Sequence, residues 1–270
     1  MKTKTFLTLL TLAATGLSFT SHAAIVLVED TFGGTGDTNL AGTSPGTFDS
    51  AIADAGGTGT WAGHSWFKAD GTVTAWGNFG RRVWLDLGDY INDAKGTSNG
   101  LFTLTVTMSQ PTEAGFVSGG FFFAGGDQNI TFANRGLASA SHNNNNDGND
   151  NYYMGPGTAN SNDPGNLTDT VVTFTTELDL RGFDGISNFG SVTFSNSFNS
   201  NTFTSSYTAD QSFDEVGLSV QIAGDNIGIH RAEVSQIQLA QIPEPSTYAL
   251  VLLSVVLLTV VGIRCRRRTR

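Results

Sequence analysis

The chain has 270 residues, a formal net charge of −10 and one cysteine, Cys265, close to its end. A single cysteine excludes a disulfide framework and a multi-cysteine zinc site, and the acidic balance argues against nucleic acid and anionic lipid as partners. Nineteen Phe and four Trp among 33 Gly point to an aromatic-rich core joined by Gly-rich turns.

Residues 1–23 read as a secretory signal peptide. Lys2 and Lys4 form a basic start, Phe6 to Phe19 is apolar, and Ser21-His22-Ala23 is a small-residue site, so the expected cut follows Ala23. A retained membrane anchor is the alternative, and the short apolar stretch counts against it.

Residues 24–241 suffice for one all-β sandwich, which commonly runs to this length as a single domain. All but one (Glu244) of the 24 Asp and Glu fall here, against seven basic residues: Lys68, Arg81, Arg82, Lys95, Arg135, Arg181 and Arg231. This stretch is therefore more acidic than the whole chain. Such a surface suits divalent cations or neutral polysaccharide, or serves solubility alone.

Strands are expected in chain order over Arg81–Leu87, Leu101–Thr107, Gly120–Ala124, Val171–Thr175, Ser191–Ser195, Leu218–Ile222 and Val234–Leu239. Most alternate apolar residues with Thr, Ser or Gln, the two-residue period of a half-buried strand. Gly, Asn, Asp and Ser clusters separate them, and no amphipathic helix of three turns is visible. Ten or more strands on this pattern make a single jelly roll or β-sandwich.

Three constellations could carry chemistry. The aromatic set is Trp61, Trp66, Trp76, Trp84, Tyr152 and Tyr153, since sugar rings stack on aromatic faces. Trp61 and Trp66, flanked by Gly and Ser, are the carbohydrate candidates; Trp84, inside an alternating strand, reads as core, and His64 as a loop residue. In Glu177-Leu178-Asp179-Leu180-Arg181-Gly182 both carboxylates share a strand face. Gly182 stands where a second Glu would be needed, and Asp184 is out of register, so the carboxyl pair that retaining glycoside hydrolysis requires is missing. The polar stretch Ser141–Asn151 holds Asp147 and Asp150 among Asn and Gly, hard oxygen donors suited to calcium; the plainer reading is a loop between strands. Glu29 and Asp30 are a second candidate calcium position. No His-Glu-x-x-His or phosphate-loop pattern occurs.

Residues 242–270 have three parts. Pro243-Glu244-Pro245-Ser246-Thr247 precedes an uncharged apolar run over 248–263, and Arg264, Arg266, Arg267, Arg268 and Arg270 follow. As a helix that run spans roughly 24 Å, slightly short of a hydrocarbon core of roughly 30 Å; snorkelling arginines close the gap. The arginines should stay on the cytoplasmic side. The simplest reading is a C-terminal transmembrane anchor.

This tail resembles the PEP-CTERM sorting signal of Gram-negative bacteria. The resemblance implies an exosortase-type membrane enzyme as partner, processing near the Pro-Glu-Pro motif, an inner-membrane stage followed by the cell surface or extracellular matrix, and association with exopolysaccharide. The segment Glu29-Asp30-Thr31-Phe32, with Gly36-Asp37-Thr38-Asn39-Leu40-Ala41-Gly42 and Gly57-Thr58-Gly59-Thr60-Trp61, resembles the start of concanavalin-A-like and laminin-G-like jelly rolls. That likeness implies a carbohydrate-binding or structural module, with the closing strand beside the opening one. The expectation is a non-enzymatic exported protein, possible ligands being polysaccharide and calcium; the alternative is a secreted polysaccharide-degrading glycoside hydrolase on the same fold.

Overall fold

Between Leu101 and Ser109 the side chains of Phe102, Leu104, Val106 and Met108 are buried while Thr103, Thr105 and Thr107 are half-exposed, as period-two alternation dictates. The computed structural model describes residues 23–33, 38–75, 80–111, 115–123, 137–144, 151–155, 159–160, 171–198, 202–222 and 232–243. Its strands in chain order are β1 (Ile25–Asp30), β2 (Thr38–Asn39), β3 (Thr47–Phe48), β4 (Gly56–Gly63), β5 (Phe67–Ala69), β6 (Val73–Ala75), β7 (Arg81–Gly88), β8 (Leu101–Ser109), β9 (Gly115–Phe122), β10 (Ala138–Asn144), β11 (Asn151–Met154), β12 (Ala159–Asn160), β13 (Val171–Asp179), β14 (Ser191–Asn196), β15 (Phe203–Ser206), β16 (Glu215–Ile222) and β17 (Ala232–Gln241). Two one-turn helices, α1 (Ser50–Asp54) and α2 (Tyr90–Asp93), complete the described residues. Asp49 caps α1, accepting the Ala51 N–H.

The strands form two antiparallel sheets. The larger has ten strands, ordered β15-β14-β13-β8-β17-β6-β5-β2, with β1 also on β17 and β3 on β1. The smaller has seven, ordered β12-β11-β10-β9-β16-β7-β4. One core cluster joins them: Phe102, Leu104, Val106, Phe174 and Leu239 from the larger sheet, Val83, Leu85, Val117, Phe121 and Leu218 from the smaller. Gly119 marks a close approach, since a Cβ there would sit 2.5 Å from Val106 Cγ2.

All seven expected strand segments fall in strands, except that Phe123 lies beyond the end of β9. The opening and closing strands are neighbours, with Ile25 opposite Gln241. The expected loop over Ser141–Asn151 is corrected in part: Ser141–Asn144 belong to β10 and Asn151 begins β11. The compact unit covers Ala24–Ile242. The signal segment before Ala23, Trp76, Ala124, Asp147, Asp150 and all residues from Glu244 onward lie outside the described residues. No helix among the described residues is long and apolar enough to cross a membrane.

Candidate functional site

The two tryptophans expected at a surface sugar site have different fates. The Trp61 expectation is corrected: its side chain is 1% exposed, and Nε1 donates to Asp30 Oδ2 at 2.7 Å. The cause is strand parity: Thr58 pairs with outward-facing Asp86, and the two-residue register shift before Ala62 leaves that parity unchanged. Ala62 pairs with outward-facing Trp84, so the adjacent Trp61 turns into the core. Trp66 is half-buried, with the Arg81 guanidinium 4.7 Å from its ring centroid and the His64 ring edge-on at 4.7 Å. The Trp66 N–H donates to His64 Nδ1 at 3.2 Å. Burial, aided by Arg81, lowers the pKa of His64, so it is a neutral turn residue.

Glu29 and Asp30, the second candidate calcium position, are hydrogen-bonded within the protein. Asp30 Oδ1 accepts the Phe32 N–H, Oδ2 accepts the Trp61 indole, and the residue is 5% exposed. Glu29 Oε1 accepts the Gln236 and Gln238 amides at 3.0 and 3.2 Å. Both Asp30 oxygens and Glu29 Oε1 are thus engaged within the protein. Burial raises the pKa of Asp30 against the pull of Trp61 and Phe32. No group of three or more His, Cys, Asp or Glu among the described residues could hold a metal ion.

Glu177 and Asp179 share the water-facing side of the larger sheet. Arg181 clamps Asp179 through Nε at 2.9 Å and Nη2 at 2.6 Å, and this pairing holds the carboxyl below its ordinary range. A carboxyl so held is a poor proton donor at neutral pH. Asp184 spends its carboxylate on the N–H groups of Ile186, Ser187 and Asn188.

The smaller sheet is also buried on the side turned away from the core, where Arg82, Ser118, Ser139, Ser141, Ser219 and Glu215 are each 0–4% exposed. Register alignment gives one rank across it: Ala62, Trp84, Gly217, Gly120, Ser139, Tyr153. The next rank reads Arg82, Ser219, Ser118, Ser141. The three central strands therefore offer only Gly and Ser at six adjacent positions, between Trp84 on one side and Tyr153 on the other. The two glycines are required by the sheet itself. A Cβ on Gly217 would lie 2.2 Å from Val83 O, and one on Gly120 would lie 2.4 Å from Ser139 Cβ. Phe116, Phe122 and Tyr153 border this floor; they are buried yet fall outside the core cluster. By contrast, Tyr152 faces inward and stacks on Phe194 at 5.0 Å.

Hydroxyls and one ion pair supply the polarity. Ser118 and Ser219 share a 2.6 Å hydrogen bond, and Ser141 donates to Asn143 Oδ1 at 3.1 Å. Ser139 is fully buried, and among the described residues its Oγ has no hydrogen-bond partner. Arg82 Nη1 donates to Glu215 Oε2 at 2.8 Å, with both side chains buried. The guanidinium sits 4.3 Å from the Trp84 ring centroid and 5.4 Å from that of Phe122, within cation–π range. Burial pushes the Glu215 carboxyl up to about 7 despite Arg82, with Asp86 and Asp214 adding to the rise. Sequence reading named Tyr153 but placed Trp84 in the core, and it passed over Arg82, Ser139 and Glu215. Strand parity held the missing signal, because Val83, Leu85 and Leu87 pointing inward force Arg82, Trp84 and Asp86 outward.

A separate cleft of about 430 Å³ opens beside α1 and α2, lined by Asp54, Tyr90, Asp93, Asn99 and Gln241 among others. Its polar groups tie down the end of β17: the Tyr90 hydroxyl donates to Gln241 Oε1 at 3.1 Å, and Gln241 Nε2 donates to Asn99 O at 2.8 Å.

No protein-family model matches the chain, and no curated protein matches it. Among solved structures, the carbohydrate recognition domain of Emp47p is similar with a TM-score of 0.43 and 15% identity, over 76% of this chain and 94% of that one. The alginate lyase Aly36B in complex with alginate trisaccharide is similar with a TM-score of 0.40 and 12% identity, over 80% of this chain and 99% of that one. The CBM2 module of the evolved Dit of Lactobacillus casei BL23 phage J-1 is similar with a TM-score of 0.45 and 12% identity, over 82% of this chain and 97% of that one.

Proposed function

We propose that this chain is an exported, non-enzymatic surface or matrix protein that binds polysaccharide. One observation supports the reading: Trp84 is half-exposed on the outer side of β7, its ring 4.3 Å from the Arg82 guanidinium. An exposed aromatic face is suited to sugars, which are apolar on their ring faces and polar at their edges. A glycan array run beside a reducing-sugar assay, both on residues 24–242, tests it. Binding without release of reducing ends is expected; an array with no binding would overturn it.

The localisation half of the proposal rests on the tail. Pro243 to Thr247, the apolar run over 248–263 and the five arginines after it have the make-up of a sorting signal read by an exosortase-type enzyme. The expected product is a surface protein lacking Tyr248–Arg270. Intact-mass measurement of surface-extracted protein checks this, and a retained arginine tail would make the segment a plain anchor.

A second reading, a glycoside hydrolase, has one observation in its favour. Glu215 and Asp86 are directly paired across β16 and β7 on the same outer face. Such neighbours stand at roughly the separation of two cooperating carboxyls. Glu215 is only 4% exposed and paired with Arg82, out of reach of a substrate, so the binding reading is preferred. Release of reducing ends that disappears in Glu215→Gln and Asp86→Asn would reverse the preference.

A further inference from the structure

We propose that the cleft beside α1 and α2 is a subsite for a sugar that carries a free amine, its ammonium group paired with the carboxylates of Asp54 and Asp93 and its ring packed on Tyr90. The proposal rests on the polysaccharide-binding reading above and adds to it a place and a class of sugar.

Charge comes first. Asp54, Tyr90, Asp93 and Asn99 line the cleft, and no Lys, Arg or His does. Among the described residues neither carboxylate takes part in a hydrogen bond or an ion pair. Lys95, just after Asp93, is spent elsewhere: its Nζ donates to Asp210 Oδ1 at 2.7 Å and to Gln211 O at 2.6 Å. Burial and the charge of Asp49 raise the pKa of Tyr90, and the share due to Asp49 puts the hydroxyl in a negative field. A cation is the complement of such a cleft. A domain with far more carboxylates than basic residues also draws cations in and slows the approach of a polyanion.

Rigidity comes second. The Tyr90 hydroxyl donates to Gln241 Oε1 at 3.1 Å, and the ring meets Phe102 edge-on with centroids 6.3 Å apart. Asn99 is held through its backbone, its N–H donating to Thr97 Oγ1 at 3.2 Å and its carbonyl accepting from Gln241 Nε2 at 2.8 Å. Among the described residues the Asn99 side-chain amide has no partner, so it can donate to one sugar hydroxyl and accept from another. A site fixed before its ligand arrives loses little freedom on binding.

Shape comes third. Ala51, Ala55 and Ala94 give the cleft a wall of short side chains, and its volume is about 430 Å³. Small-ligand sites run to roughly 300–1,000 Å³, so this one holds the end of a chain, about two sugar units. The apolar face of a pyranose suits the Tyr90 ring, and an ammonium group beside that ring gains cation–π attraction. A lysine side chain would match the carboxylates but brings no hydroxyls to the Asn99 amide.

The test is calorimetric titration of the purified protein at low salt with short β-1,4-linked glucosamine oligomers, their N-acetylated counterparts, oligogalacturonates and oligolysine. The glucosamine oligomers should bind tightest, with affinity levelling off at about two units and falling as salt is raised. Asp54→Asn and Asp93→Asn should each weaken that binding about two- to fivefold, and Tyr90→Leu at least about fivefold. Asp54 and Asp93 are exposed, so melting curves of their variants should match the native protein and exclude misfolding as the cause. Equal or tighter binding of the N-acetylated series or of the oligogalacturonates would overturn the proposal while leaving polysaccharide binding intact. So would glucosamine binding that ignores both Asp54→Asn and Asp93→Asn. Tighter binding of oligolysine would overturn it in favour of a basic peptide. Failure of every saccharide to bind would overturn both the proposal and the reading beneath it.

Discussion

Trp61 and Asp30 are joined by a buried hydrogen bond of 2.7 Å across 31 residues of sequence. The same carboxylate accepts the Phe32 N–H at 2.7 Å. That second bond holds Phe32 at φ 56, the left-handed region that a bulky residue rarely enters. The Phe32 and Trp61 rings then pack with centroids 6.2 Å apart. Asp30, Phe32 and Trp61 are thus one structural joint that pins the start of the chain into the core.

Trp61→Phe keeps the ring and removes the N–H. It leaves a buried carboxylate oxygen without its donor, at about 1–3 kcal/mol, or a melting temperature several degrees lower. Glycan affinity should not change, because Trp61 lies in the core. Paired thermal melts and glycan titrations of this variant check both statements; lost binding at native stability would return Trp61 to the site.

The second expectation is a pH dependence centred on Glu215. Its carboxyl is harder to ionise in the folded protein than in the unfolded chain, about 7 against an ordinary 4.5. The contribution to stability is therefore fully present below pH 4.5 and is lost as pH rises through about 7. Glu215→Gln should flatten the difference, worth up to about 3 kcal/mol, between pH 7.5 and 4.5. Denaturant midpoints for both proteins across that window measure it, and parallel curves would rule the effect out.

Arg82→Leu should destabilise by about 3–5 kcal/mol, because it leaves the Glu215 carboxylate buried without its cation. Adding Glu215→Leu should restore much of the loss, since a buried pair replaced by apolar side chains is often close to neutral. Urea titrations of the two single variants and the double variant close the cycle. Additive losses would mean that the pair is not coupled.

Gly120→Ala would put a methyl group 2.5 Å from Ala138 O and 2.4 Å from Ser139 Cβ. Overpacking of this kind costs about 1–3 kcal/mol. The melting temperature should fall, and Gly71→Ala, at a left-handed turn with nothing within 4 Å, should lower it through backbone strain alone.

The larger sheet is easy to read from sequence because one side of it meets water. Thr103, Thr105, Thr173 and Thr193 alternate with Leu104, Val106, Phe174 and Phe194, so β8, β13 and β14 announce both their period and their inward face. The central strands of the smaller sheet are covered on both sides, and Phe116 and Val117 are buried alike. Strands buried on two faces lose the alternation that identifies them. Ala138–Asn144, with no large apolar residue, therefore reads as the approach to a polar loop. Trp84 shows the opposite error: hydrophobicity places it in the core, although the inward turn of Val83 and Leu85 requires it to face out. The Arg82–Glu215 pair spans 133 residues, and no local pattern records such a contact.

The placement of β17 also governs when this domain can fold. The final strand lies inside the larger sheet, hydrogen-bonded to β8, to β1 and to β6. Until Ala232–Gln241 has been made and moved, the opening strand has only β3 beside it and β8 only β13. Contacts between the two ends of a chain form slowly, after a large loop has closed. A nascent chain would therefore stay loose and become compact only once its last strand arrives. Ribosome-bound or translocation-arrested chains ending before Ala232 should remain protease-sensitive, whereas chains extended past Gln241 should become resistant.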